Sequence, residues 1–162
     1  MLNEITPNQL MRLIGTPDAP RIIDVTTNED FAADPFLVPT ALRHPHTELE
    51  SLLPRLEGRK TVVICQKGKK LSQGVAAWLR ANGVHAEHLA GGNYGWRDTD
   101  GAPRIAHSLL PKSGRAWVTR QRPKIDRLAC PWLITRFIDP QATFLYVAPA
   151  SVLDVAEKFG AL

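Results

Sequence analysis

Residues 61–92, TVVICQKGKKLSQGVAAWLRANGVHAEHLAGG, decide the fold of this chain. The β-branched run from Thr61 to Cys65 is typical of a strand that is buried on both faces. The loop QKGKK follows, and the next residues predict a helix from about Ser72 to Asn82. His85 to Leu89 predicts another strand, which a pair of glycines ends. Strands that alternate with helices indicate parallel pairing through right-handed crossovers.

The residues before this stretch follow the same alternation. Residues 6–15, TPNQLMRLIG, predict a helix, with Thr6 as N-cap and Pro7 at the first helical position. Arg21 to Val25 predicts a second buried strand. Residues 46–56 predict an amphipathic helix that Pro54 kinks or shortens. The sequence therefore predicts an α/β domain with a parallel sheet between layers of helices.

Residues 100–114 lack periodicity and contain a linker, which we place at 104–114 between domains of residues 1–103 and 115–162. The second domain reads as a βαβα unit, with a helix around LACPWLITRFI that has Pro131 near its start. Its last helix has a predicted capping box of Ser151 and Asp154, and Gly160 as its stop. So small a unit buries little surface, and we expect it to be an incomplete domain.

The composition is that of an ordinary globular protein. The chain has 162 residues, 44% hydrophobic and 22% charged, which excludes a disordered, collagen-like or disulfide-rich protein. No stretch approaches the roughly 18 consecutive apolar residues that a membrane-spanning helix needs, so no membrane partner is expected. The N-terminus lacks the features of a secretory signal. With only two cysteines, the chain is expected in a reducing cytoplasm.

The positive charge is concentrated in one segment. The formal net charge is +4, yet residues 104–127 hold seven basic residues and one acidic residue, whereas residues 1–103 hold 11 and 12. Such a segment could bind nucleic acid, phosphate or another anion. The alternative is a solvated linker that its charge keeps soluble.

Cys65 is the candidate nucleophile. It follows a predicted parallel strand, at the sheet edge where α/β proteins bind ligands. If the N–H groups of residues 66–70 curl around its sulfur, they form an anion-binding nest, which the dipole of the following helix reinforces. Lys67, Lys69 and Lys70 add positive charge, and Gly68 permits the tight turn. Each of these features favours the thiolate, which is the nucleophilic form. The alternative is a buried cysteine that only ends a strand.

These residues resemble a rhodanese domain over roughly residues 5–103. The similarity rests on an aspartate-ended strand, on a cysteine that opens a six-residue loop with glycine at its fourth place, and on a closing Gly-Gly…Trp pattern. The resemblance implies that Cys65 accepts sulfur and that residues 66–70 cradle the persulfide. The residues of this cradle are Gln66, Lys67, Gly68, Lys69 and Lys70. Asp24 matches the aspartate of the pattern, and Gly91, Gly92 and Trp96 match its scaffold signature.

The resemblance also implies a two-step sulfur transfer that needs no cofactor. The Cys65 thiolate attacks the outer sulfur of a donor such as thiosulfate, sulfite leaves, and cyanide or a thiol then takes the sulfur. Lys70 and Thr26 stand where the family often has arginine, which bears on the preference for thiosulfate. A cysteine phosphatase would need an arginine one position beyond the loop, where Leu71 stands.

Residues 115–160 resemble the opening of a chromate-resistance (ChrB-like) module, through the run WVTRQRPKIDRLACPWLITRFIDP. The resemblance implies a rhodanese–ChrB fusion with a role in the chromate response. Lys124, Asp126, Arg127 and Cys130 then form a second candidate site, which could bind an oxyanion such as chromate, with Cys130 as a reductant. Alternatively, Asp126 caps the helix, Arg120 and Arg127 face solvent and Cys130 packs in its first turn, or Cys130 forms a disulfide with an oxidised Cys65.

Two functions follow from these patterns. The first is a cytoplasmic sulfurtransferase that acts on a small-molecule sulfur donor and a thiol or cyanide acceptor. The alternative is a sensing module without turnover in a chromate-responsive regulator, which binds an oxyanion or DNA through residues 104–127. The histidines, His44 and His46 among them, lack metal-ligand spacing and read as surface or loop residues, so we expect no metal site. The tryptophans are expected in the core, and the sequence predicts no oligomeric state.

Overall fold

The computed structural model describes residues 3–110, 116–122, 124–139 and 141–162. The chain divides into two compact units, residues 1–107 and 108–162. The first unit extends beyond the predicted limit at residue 103, because Ile105–Ala106 pairs with Phe36–Leu37 and Arg104 donates to both carboxylate oxygens of Asp34. Residues 111–115, where the predicted linker meets the predicted second domain, lie outside the described residues.

A five-stranded parallel sheet forms the centre of the first unit. In chain order, the strands of this unit are β1 (Glu4–Ile5), β2 (Arg21–Asp24), β3 (Phe36–Leu37), β4 (Leu42–Arg43), β5 (Thr61–Ile64), β6 (Ala86–Leu89) and β7 (Ile105–Ala106). The order across the sheet is β1-β6-β5-β2-β4, with all neighbours parallel, and β3 pairs antiparallel with β7. The predicted α/β class with a parallel sheet is therefore confirmed.

The helices follow the local sequence signals closely. They are α1 (Pro7–Leu13), α2 (Asn28–Ala33), α3 (Leu53–Leu56), α4 (Lys70–Ala81) and α5 (Gly92–Arg97), with 3-10 turns at Leu49–Leu52 and His107–Leu109. Thr6 caps α1 through a capping box with Gln9, and Pro7 takes the first position. The amphipathic helix predicted for residues 46–56 is reduced to a 3-10 turn followed by α3, which carries Pro54 in its first turn.

The strands β2 and β5 are buried on both faces, as their β-branched sequences predict. Ile22, Val62 and Ile64 pack with Trp96 and other apolar side chains on one face of the sheet. The residues that alternate with them pack on the opposite face against α4. Cys65 belongs to this second cluster, so its side chain points toward α4. Burial of both faces fixes the strand register, and with it the direction of the cysteine.

Two glycines fix the loop between β5 and α4. Gly68 has φ +64° and Gly92 has φ +59°. A Cβ atom on Gly92 would lie 2.1 Å from the carbonyl oxygen of Cys65 and 2.3 Å from the nitrogen of Gly68. The N–H groups of Asn93 and Tyr94 donate to the carbonyls of Cys65 and Gln66, both at 3.0 Å. The start of α5 therefore holds the loop by direct backbone contact, which a side chain would prevent.

The second unit contains two parallel strands and two helices. Its elements are β8 (Ala116–Arg120), α6 (Ile125–Leu133), a π-helical turn (Ile134–Ile138), β9 (Thr143–Val147), a 3-10 turn (Pro149–Ser151) and α7 (Val152–Phe159). No residue of α6 or α7 is buried, and Ile125 is 86% exposed and Leu153 81% exposed. No helix in the described part of the chain is long and apolar enough to cross a membrane.

Three local predictions for this unit are wrong. The helix α6 begins at Ile125, so Pro131 lies inside it rather than near its start. Ser151 precedes α7, but its side chain makes no capping hydrogen bond, because its backbone is helical (φ −96°, ψ −1°) rather than extended. Trp132, expected in the core, is 55% exposed. Gly160 ends α7 in the left-handed conformation, as predicted.

We expect Gly92→Ala to destabilise the protein by more than about 3 kcal/mol, because the new methyl group overlaps the backbone of the Cys65 loop. Gly58→Ala is the matched control. Gly58 also has a positive φ, +66°, but nothing lies within 4 Å of its Cβ position, so we expect a cost of only about 1–2 kcal/mol. Urea unfolding followed by circular dichroism compares the two. An equal decrease in the free energy of unfolding in the two variants would contradict the role of the backbone contact.

Candidate active site

Cys65 follows β5 at the carboxyl edge of the sheet, as predicted, and only 6% of the residue is exposed. Its Sγ donates a hydrogen bond to Ser72 Oγ at 3.1 Å and approaches the carbonyl oxygen of Lys69 at 4.0 Å. Ser72 lies in the first helical turns of α4 and is fully buried. Its hydroxyl donates in turn to the carbonyl of Lys69 at 3.3 Å. The thiol is therefore held between the loop and the start of α4.

The hydrogen bonds of the sulfur differ from the predicted nest. None of the N–H groups of residues 66–70, all within the described part of the chain, makes a hydrogen bond to Sγ; the sulfur faces a hydroxyl and a carbonyl oxygen. A thiol donates its own proton and so selects acceptors, whereas N–H groups suit a thiolate or an anionic ligand. The structure thus places Cys65 in the loop without showing the predicted ring of amides around its sulfur.

The cradle residues divide by exposure. Gly68 is buried, Gln66 is half-buried, and Lys67, Lys69 and Lys70 are exposed. None of these ammonium groups forms an ion pair with a carboxylate of the described residues. Three uncompensated positive charges therefore surround the loop that contains the thiol, and they raise the local concentration of anions near it.

Asp24 supports the loop through a buried polar network. One carboxylate oxygen accepts from the backbone N–H of Thr26 at 2.8 Å and from the Thr26 hydroxyl. The other accepts from Asn93 Nδ2 at 3.1 Å, and the same amide donates to Thr26 Oγ1 at 3.1 Å. Because the backbone N–H of Asn93 donates to the carbonyl of Cys65, the network joins β2 to the cysteine loop through one side chain.

Ser72 and Asn93 are the residues of this site that sequence reasoning missed. Ser72 stands where the helix after the loop was predicted to begin, and a hydroxyl in the first turn of the helix that follows a loop cysteine is a usable signal. Asn93 follows the Gly91-Gly92 pair, but it reaches Cys65 from 28 positions away in the sequence. Nothing in the spacing of the chain predicts that contact.

The second candidate site is partly assembled in the second unit. A cavity of about 520 Å³ is lined by Arg120, Asp126, Arg127 and Cys130, together with aromatic residues. These aromatic residues are Trp117 and Phe144. Cys130 is exposed, and Arg127 Nε lies 3.8 Å from the carboxylate of Asp126. Lys124, the residue before α6, does not line the cavity within the described residues.

The first alternative, a capped helix start with a packed Cys130, does not hold in the form that the sequence suggested; a disulfide between Cys130 and an oxidised Cys65 stays a prediction. Asp126 is the second residue of α6 and does not cap it, and Cys130 lies in the second turn rather than packed in the first. Arg120 joins the predicted set from β8, since its strand ends beside α6. Trp117 Nε1 is buried in the cavity wall without a hydrogen-bond partner among the described residues.

Two family models match the chain. Residues 6–99 match the rhodanese-like domain, and residues 117–161 match the family described as ChrB, C-terminal domain. A curated relative, Protein ChrB from Cupriavidus metallidurans, is 31% identical over 115 residues, which cover 62% of this chain and 36% of the relative. The chain thus spans about a third of the length of that relative.

Solved structures share the fold of the first unit. A thiosulfate sulfurtransferase from Pseudomonas aeruginosa is 26% identical with a TM-score of 0.56, over 68% of this chain and 21% of that one. A rhodanese-like domain protein from Staphylococcus aureus is 26% identical with a TM-score of 0.53, over 64% of this chain and 97% of that one. A rhodanese-related protein from Thermoplasma volcanium, 22% identical with a TM-score of 0.53 over 64% of this chain and 97% of that one, shares the fold.

The aspartate-ended strand, the cysteine loop and the double glycine that holds it lie within the matched residues. The chain therefore belongs to the rhodanese-like family through residues 6–99, and its residues 117–161 match the ChrB C-terminal domain family.

Proposed function

We propose that this protein is a sulfurtransferase that carries a sulfane sulfur as a persulfide on Cys65. One observation carries the proposal: Cys65 follows a buried parallel strand, its thiol is held by Ser72, and the three lysines around its loop pair with no carboxylate of the described residues. The likeness to a protein described as a thiosulfate sulfurtransferase supports the same chemistry. No cofactor is required, because the reaction exchanges one sulfur–sulfur bond for another bond to sulfur.

The first step loads the cysteine. After the thiol loses its proton to solvent, the Cys65 thiolate attacks the outer sulfur of a donor such as thiosulfate. A new sulfur–sulfur bond forms, the bond within the donor breaks, and sulfite leaves with its electron pair. The Ser72 hydroxyl, which accepts from the thiol, can rotate and donate to the thiolate. The lysines attract the anionic donor to the loop.

The second step returns the enzyme to its starting state. Cyanide or an acceptor thiolate attacks the outer sulfur of the persulfide, and the Cys65 thiolate leaves. The loop N–H groups, which do not bind the resting thiol, are free to stabilise the anionic persulfide and the leaving thiolate. The buried network of Asp24, Thr26 and Asn93 keeps the loop backbone in place during both steps, so these residues are positioning residues.

Cys65→Ser is expected to reduce thiocyanate formation from thiosulfate and cyanide by at least about a thousandfold, because a serine hydroxyl is not ionised at neutral pH. Cys130→Ser, the matched control, should retain wild-type turnover. After thiosulfate treatment, mass spectrometry of the intact protein should show a mass increase of one sulfur atom in the wild type and in Cys130→Ser, but not in Cys65→Ser. Turnover that survives Cys65→Ser would remove this residue from the mechanism.

Ser72→Ala is expected to slow alkylation of Cys65 by iodoacetamide at pH 7 by about two- to tenfold, because the thiolate loses a hydrogen-bond donor. Ser151→Ala is the matched control, since the Ser151 side chain makes no capping hydrogen bond. The rate is followed by peptide mass spectrometry, which reads Cys65 separately from Cys130. An unchanged rate at Cys65 would show that Ser72 has no part in its reactivity.

The cavity of the second unit favours a second function, the binding of an oxyanion such as chromate. Arg120 and Arg127 bring two guanidinium groups to its wall, and Asp126 is the acidic residue that lines it in the described part of the chain. Planar guanidinium groups suit tetrahedral oxyanions, because they donate two parallel hydrogen bonds. With this site, the chain would act as a chromate-sensing module, whether or not Cys65 turns over. DNA binding by residues 104–127 stays a prediction.

Arg127→Gln is expected to weaken chromate binding about tenfold, through the loss of a charge-assisted hydrogen bond. Lys158→Gln removes the same charge from an exposed position on α7 outside the cavity lining, and should leave the affinity unchanged. Equilibrium dialysis at two salt concentrations measures both. An equal loss in the two variants would assign the binding to net charge rather than to the cavity.

A further inference from the structure

A second cavity lies in the first unit, where β2 and β4 end. Its volume is about 410 Å³, which is within the range of small-molecule sites. The lining residues of the described chain include hydroxyl, amide, imidazole and guanidinium groups and no carboxylate. They include Thr26, Thr27, Asn28, Arg43 and His44. We name this space the Arg43 cavity. Its lining is rich in hydrogen-bond donors and lacks negative charge.

Arg43 carries a positive charge that no carboxylate of the described residues neutralises. Its Nη2 donates to the carbonyl of Thr26 at 2.9 Å and to Asn28 Oδ1 at 3.1 Å, both of which are neutral acceptors. Its Nε is buried without a hydrogen-bond partner among the described residues. The guanidinium lies 3.9 Å from the centre of the Phe31 ring, which holds it in place. A fixed and unpaired guanidinium is a receptor for an anion.

Several other polar groups of the lining already have partners. Asn28 Oδ1 accepts from Arg43, so its amide NH₂ is left as a donor. Thr27 Oγ1 accepts from the backbone N–H of Asp30 at 3.2 Å. His44 Nε2 lies 2.8 Å from the carbonyl of Glu48, so this nitrogen carries the proton and donates there. The guanidinium of Arg43 and the amide NH₂ of Asn28 therefore remain as donors, and a carboxylate can accept from both.

The Arg43 cavity shares one residue with the cysteine site. Thr26 lines the cavity, and its hydroxyl accepts from the side chain of Asn93. The backbone N–H of Asn93 donates to the carbonyl of Cys65. A ligand in the cavity would therefore lie against Thr26, which belongs to the network that holds the cysteine loop at the same edge of the sheet.

We propose that the Arg43 cavity binds the carboxylate of the sulfur acceptor, a small thiol that carries a carboxylate group. This inference rests on the proposed sulfurtransferase activity. The acceptor thiolate attacks the outer sulfur of the Cys65 persulfide, a new sulfur–sulfur bond forms on the acceptor, and the bond to Cys65 breaks as the Cys65 thiolate leaves. Electrons and charge balance without an added oxidant or reductant. The carboxylate lies against Arg43 and orients the thiol.

The test uses three acceptors with thiosulfate as the donor: mercaptosuccinate, 2-mercaptoethanol and cyanide. Arg43→Gln is expected to raise the KM for mercaptosuccinate about tenfold, because a charge-assisted hydrogen bond is lost. Turnover with 2-mercaptoethanol and with cyanide should be unchanged, since neither acceptor carries a carboxylate. Arg12→Gln, at an exposed position on α1, is the matched control and should leave all three acceptors unaffected.

Succinate separates this inference from the proposed function. It should inhibit turnover of wild type with mercaptosuccinate but not with 2-mercaptoethanol, and its Kd, measured by calorimetry, should rise about tenfold in Arg43→Gln. The inference would be overturned if Arg43→Gln lost turnover equally with all three acceptors or kept an unchanged KM for mercaptosuccinate. It would also be overturned if succinate did not bind to wild type. A wild type that forms no thiocyanate would overturn the sulfurtransferase instead, and the succinate titration would still decide the carboxylate site. The inhibition pattern of wild type decides the inference even if Arg43→Gln does not fold.

Discussion

The backbone contact between Gly68 and Gly92 is the constraint on which the cysteine site depends. The loop after β5 must turn back toward α4 with its carbonyls facing α5, and the N–H groups at the start of α5 satisfy the carbonyls of Cys65 and Gln66. There is no room for a Cβ atom at either glycine. The close approach fixes the loop without using any of its side chains, so the lysines of the loop and the thiol are left for chemistry.

Short sequence patterns predicted those elements that depend on residues close together in the chain. Thr6 and Pro7 define the start of α1, and the β-branched residues of β2 and β5 identify strands that are buried on both faces. The edge strands β1 and β4 have only two residues each, which is too short for a hydrophobic period to appear. Their existence depends on pairing with neighbours that are distant in sequence.

The cysteine site likewise combines features that nearby residues determine with contacts that come from distant parts of the chain. The position of Cys65 and the turn at Gly68 follow from the order of residues in one loop. The partners of the sulfur depend on side-chain geometry, because Sγ faces Ser72 rather than the amides of its own loop. Asn93 lies in a different element, and its hydrogen bond to Asp24 joins α5 to β2, which no spacing pattern relates. In the second unit, the helical backbone at Ser151 overrode a sequence that favours a capping box.

The cysteine belongs to the apolar cluster beneath α4, and this location has a consequence for which molecules can react with it. Packed neighbours cover 94% of the residue, so little of it is open to solvent. Small electrophiles that present one terminal sulfur need little room to react with Sγ, whereas the surface of a folded protein needs much more. The packing that stabilises the sheet therefore also favours small reagents over bulky oxidants at the thiol.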